Sequence, residues 1–146
     1  VANSVLKDRQ GPDWPLGYIN VPTPGTPVNI MSVVDPSNLN DPDTPTPGTP
    51  GADEYTVRCN VIAVQGYKFV GPGWALNSGN IYVVRAPNSG GSGGINDSGV
   101  LVWVVAPGSY AQIPVSALVR NANNPYRYFI DADTAGDGAN VVLWIF

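Results

Sequence analysis

The residues most able to do chemistry lie near the end of the chain, in Asp131-Ala132-Asp133-Thr134-Ala135-Gly136-Asp137-Gly138. Carboxylates at alternate positions with a glycine for the bend are what hard, oxygen-coordinating cations such as calcium require. The spacing departs from that pattern. The third aspartate follows the second by four positions, no bidentate glutamate closes the loop, and no helical pattern flanks it. Apolar strand-like runs lie on both sides, Tyr128-Phe129-Ile130 before and Val141-Val142-Leu143-Trp144-Ile145-Phe146 after. The expected role of the acidic segment is therefore a hairpin turn, in which Asp, Asn and Gly tolerate positive φ and bond their own backbone. A glycosidase would need a second, separately placed carboxylate. The single glutamate, Glu54, has no sequence feature tying it to the aspartate pair.

The chain contains no histidine. Ser-His-Asp and Cys-His nucleophilic systems, imidazole-ligated metals and the usual general base near neutral pH are thereby excluded. Cys59, the single cysteine, lies in an alternating run and reads as a small buried apolar residue. The glycine-rich stretch from Asn88 to Ser98 lacks the Gly-Lys-Ser/Thr ending and the following helix of a phosphate-binding loop, and reads as a hairpin tip. No catalytic residues, cofactor or metal are expected, and the chain is not read as an enzyme. Among the four tryptophans, Trp74 stands apart, because its Gly-Pro-Gly setting suits an exposed ring that stacks on a ligand.

Composition narrows the partners. Charged residues make up 12% of the chain, about half the usual share of a soluble protein. Seven scattered cations and a net charge of −4 give no basic patch for nucleic acid. No run of eighteen apolar residues occurs, so no membrane-spanning helix is expected, and the first residues show no signal-peptide pattern.

The elements that position these residues read as follows. Residues 1–54 are expected to form a long extended arm, since ten of the fifteen prolines fall within the first fifty positions. Pro-Thr-Pro-Gly-Thr-Pro occurs at 22–27 and again at 45–50. Proline cannot donate to a ladder, so neither copy suits a central strand. Two apolar clusters, Trp14, Leu16, Tyr18 and Ile19, then Val28, Ile30 and Met31, are expected to anchor the arm to a partner surface or to the domain itself. Residues 55–146 are expected to form one domain of about seven or eight short strands between Gly, Pro and Asn turns. That pattern predicts an all-β antiparallel sandwich or jelly roll. Val57, Cys59, Val61 and Ala63 are expected on one face of the first domain strand, and Ser116–Arg120 as a single helical turn. Pro114 places the 109–115 strand at an edge. The runs 100–106 and 141–146 are apolar on both faces. One face fills the core, so the other, carrying Trp103 and Val105, or Val142, Trp144 and Phe146, is expected to be covered by the arm or a second subunit.

Several segments together carry a family resemblance: Gly-Asn-Ile-Tyr-Val-Val at 79–84, Gly-Val-Leu-Val at 99–102, Ala-Pro-Gly-Ser-Tyr at 106–110 and Tyr-Phe-Ile-Asp-Ala-Asp-Thr-Ala-Gly-Asp-Gly at 128–138. Val-Pro-Thr-Pro-Gly-Thr-Pro-Val at 21–28 adds an echo. In this style the chain resembles small proteins encoded beside the capsid genes of tailed bacteriophages. The resemblance implies a virion protein made in the bacterial cytoplasm: a capsid decoration or cement protein of sandwich or jelly-roll fold. Such a protein would bind the major capsid protein as a dimer or trimer and bridge neighbouring capsomers. A tail or fibre component and a carbohydrate-binding β-sandwich remain the alternatives.

Overall fold

The computed structural model describes residues 13–33, 59–85, 100–115 and 125–144. The second proline repeat at 45–50, Glu54, Val57, the 88–98 glycine segment, the 116–120 turn and Phe146 lie outside the described residues. The described strands are β1 (Asp13–Asn20), β2 (Val28–Asn29), β3 (Val61–Gln65), β4 (Tyr67–Phe69), β5 (Trp74–Leu76), β6 (Ile81–Arg85), β7 (Val100–Val105), β8 (Tyr110–Pro114), β9 (Tyr128–Ala132) and β10 (Gly138–Trp144).

Eight of these strands form two four-stranded sheets, ordered β1-β10-β3-β8 and β2-β9-β6-β7, and every neighbouring pair is antiparallel. With β4 and β5 set aside as a separate hairpin, this is the strand order of a jelly roll, in which successive strands other than the β6–β7 pair alternate between sheets. Pro114 does close an edge strand, because among the described residues β8 has a single neighbour in its sheet.

The core lies between the sheets. Leu143, Ile62 and Ile113 face it in one register across the first sheet, followed by Val141, Val64 and Ala111. Ile81, Val83, Ile130 and Ala132 face it from the second. On β3 the core-facing pair is thus Ile62 and Val64, not Val61 and Ala63. Cys59 is nevertheless in the core. The alternation changes phase at Asn60, where the ladder begins with Asn60 N–H donating to the Trp144 carbonyl at 2.8 Å.

Residues 13–33, expected in an extended arm anchored to a partner or to the domain itself, contribute two strands to the sandwich. β1 borders β10 in one sheet and β2 borders β9 in the other. The first Pro-Thr-Pro-Gly-Thr-Pro carries the chain between them, with Thr26 N–H donating to the Thr23 carbonyl at 3.1 Å. Proline suits this segment because a crossover has no ladder donor to lose. Leu16, Ile19, Ile30 and Met31 are consequently buried in the chain's own core, which leaves them no surface to offer a partner. Tyr18 and Val28 are half-buried, and the side chain of Trp14 lies outside the described residues. A bulge between Pro15 and Gly17 lets β1 change face, and Gly17 takes the positive φ of 119° there.

The expected C-terminal hairpin is also corrected. β9 and β10 are consecutive but lie in different sheets. The acidic segment between them arches over the edge of the core. The local sequence signals of a hairpin and an arch are the same: two apolar strands and a Gly/Asp bend. Only the partners of each strand tell them apart.

Candidate functional site

The three aspartates of the arch each bind backbone. Asp131, buried, accepts from Gly25 N–H at 2.9 Å and ties the proline crossover to β9. Asp133 accepts from Asn80 N–H at 3.2 Å and from the Tyr82 hydroxyl at 2.8 Å. Asp137 is fully buried and accepts from Ser78 N–H at 3.0 Å and Gly79 N–H at 2.9 Å. Lys68 Nζ approaches the same carboxylate at 3.5 Å and bonds Ser78 Oγ at 3.0 Å. These carboxylates fasten the arch to the loops beside it, and no cluster of three or more His, Cys, Asp or Glu suited to a metal ion occurs among the described residues.

What the arch holds is the root of the β4–β5 hairpin. Asn77, directly after β5, bonds Gly138 through both amide atoms, at 2.8 and 3.1 Å. Gly66, directly before β4, donates to the Ser109 carbonyl and accepts from Gly108 N–H, each at 2.9 Å. A Cβ on Gly108 would meet Leu76 at 2.8 Å, so the β7–β8 turn lies close under the hairpin. Both ends of the hairpin are therefore pinned to the sandwich by short, non-local bonds.

Beneath it lies the outward face of the first sheet. Tyr18, Asn140, Gln65 and Tyr110 stand in one register across β1, β10, β3 and β8. The hairpin turns its aromatics toward that row. Trp74 meets Tyr18 at 5.4 Å and 74° and Phe69 at 5.0 Å and 65°, both edge contacts. A groove of about 340 Å³ opens there, lined by Gln65, Tyr67, Trp74 and Asn140. Trp74 stays 53% exposed. The loop setting identified Trp74 as an exposed ring. The groove's other residues were missed, because Gln65 and Asn140 share a face only through the β3–β10 register.

A second surface is the edge of the other sheet. Among the described residues, β7 pairs with β6 alone. Val105 lies in the core opposite Ile81, so it does not belong to the free face. Trp103, opposite Val83 and on the same side as Val105, is 46% exposed. Leu101 and Val104 stand opposite Val84 and Tyr82 on the outward side. Together with Val100 they are between 45% and 51% exposed. On β10 the core takes Val141 and Leu143, while Val142 and Trp144 are half-buried on the outward side.

No protein-family model, curated protein or solved structure matches this chain.

Proposed function

We propose that this chain is a structural virion protein, a decoration or cement protein of a bacteriophage head. It binds the major capsid protein on the outer capsid surface, bridges neighbouring capsomers and associates with copies of itself as a dimer or trimer. The observation that carries this reading is the β7 edge. A strand that stands at the sheet edge among the described residues, presenting Val100, Leu101, Trp103 and Val104, each about half exposed, is a liability unless another chain covers it. The low charged fraction of 12% fits a surface designed to be covered. The jelly-roll strand order is compatible with the reading but also serves lectins and enzymes, so it is supporting context.

The contact lies at the sheet edge and not on Leu16, Ile19, Ile30 or Met31, which belong to the core. The chemistry is apolar burial with backbone pairing along β7. The test is co-sedimentation with capsids. The full chain is expected to sediment with heads at a copy number comparable with that of the capsid protein, and Leu101→Lys with Trp103→Lys to abolish this while leaving the monomer folded. A handful of copies per particle would place the protein in a tail or fibre instead. Failure to associate with any virion would overturn the proposal.

A further inference from the structure

We infer that the groove under the β4–β5 hairpin is a binding site for a neutral saccharide. This goes beyond attachment to a particle, since it involves the opposite sheet from β7 and none of its residues.

The ring of Trp74 is half exposed, and neither Tyr18 nor Phe69 lies parallel to it. Such a ring offers a flat apolar platform to the C–H face of a pyranose. Across from it stand Gln65 and Asn140, directly paired between β3 and β10. Their side-chain amides bond no protein group among the described residues, so two carbonyl acceptors and two NH2 donors face the groove unspent. Adjacent sugar hydroxyls, each both donor and acceptor, match such amides. Tyr67 supplies a further ring and hydroxyl at the wall.

Among the described residues, the lining carries no charged side chain. The nearest cation on the hairpin, Lys68, is engaged with Ser78 and Asp137. An anionic ligand would find no counter-charge, and a purely apolar one would strand the amides without partners. The volume of about 340 Å³ lies at the small end of ligand pockets, which fits one or two sugar rings. The groove is also preorganised. Its floor is a sheet, and its wall is pinned at Gly66, Asn77 and Gly108. Little ordering entropy is then lost on binding.

The experiment titrates the purified full chain with methyl glycosides of glucose, galactose, mannose and N-acetylglucosamine and their β-linked and α-linked disaccharides. Binding is read by calorimetry and by two-dimensional amide NMR. At least one sugar is expected to bind saturably and to shift the amide signals of Gln65, Trp74 and Asn140. Trp74→Ala is expected to weaken that binding by about tenfold or more. Gln65→Ala serves as the second variant, because its exposed side chain bonds nothing among the described residues; it is expected to weaken binding without moving the melting temperature. Absence of saturable binding across the panel overturns the inference. So does binding that both variants leave unchanged, or shifts confined to residues outside the groove. Loss of capsid association in the β7 variants with sugar binding intact would separate this site from the proposed attachment surface.

Discussion

The side-chain amide of Asn77 pairs with the backbone of Gly138 as a strand would, Nδ2 donating to the carbonyl at 2.8 Å and Oδ1 accepting from N–H at 3.1 Å. Both residues are buried. One side chain thereby satisfies two backbone groups at the start of β10 and fixes where the hairpin meets the sheet. Asn77→Ala leaves both groups without partners, at about 1–3 kcal/mol each. Chemical denaturation is expected to show a loss of about 2–6 kcal/mol by the same reckoning. Asn77→Asp is expected to be worse at neutral pH, since it buries a charge facing the Gly138 carbonyl. Its deficit relative to the parent should shrink as pH falls, because a protonated carboxyl can again donate to that carbonyl.

Gly138 is also sterically fixed. A Cβ there would run into the Ile19 carbonyl and the ring and hydroxyl of Tyr18. Since the first obstacle is backbone, a neighbouring side chain cannot simply swing aside. Gly138→Ala is expected to cost about 1–3 kcal/mol or more, as overpacking does. It is also expected to disturb Tyr18 beneath Trp74, visible as a changed near-ultraviolet dichroism of the aromatic cluster.

Asp137 and Lys68 separate a buried anchor from a surface ion pair. The Asp137 carboxylate receives two backbone N–H groups while fully buried, whereas Lys68 contacts it at 3.5 Å from a partly exposed position. Hydrogen bonds to a charged group contribute about 1.5–3 kcal/mol. Asp137→Ala is therefore expected to lower stability by at least that order, and Lys68→Ala by about 1 kcal/mol or less. Equal losses in thermal melts of the two variants would contradict this assignment.

Tyr82 gives an alkaline signature. Its hydroxyl donates to Asp133 at 2.8 Å, and that bond raises its pKa above the usual phenol value. Burial raises Tyr128 likewise. In each case the folded chain holds the proton more tightly than the unfolded one. Their contribution is complete below the unfolded pKa of about 10 and is lost as pH rises through the higher folded value. Melting temperatures are expected to fall above that pH, and less steeply in Tyr82→Phe than in the parent.

The exposed β7 edge predicts that Leu101→Lys and Trp103→Lys will change stability by less than about 1 kcal/mol, since each side chain is about half exposed. Analytical ultracentrifugation is expected to show self-association in the parent and monomers in the double variant. A monomeric parent would remove this edge as the homotypic contact.

By itself the sequence determined the local facts: an all-β chain, the positions of most strands, Pro114 at an edge, Cys59 as a buried thiol and the acidic segment as a bend. Each of these follows from alternation, from turn residues or from the missing donor of proline, which act over a few residues. Only the tertiary structure decided which strands pair. The prolines at 22–27 mark a segment that cannot be central strand, but their neighbours Leu16, Ile19, Ile30 and Met31 enter the core only because β1 and β2 find β10 and β9 more than a hundred positions away. The same distance separates Gly25 from Asp131, which are nevertheless hydrogen-bonded at 2.9 Å. Gln65 and Asn140 meet in the same way, through a register set when the sheet closes. Such pairings depend on the fit of two distant surfaces, which no local pattern in the chain encodes.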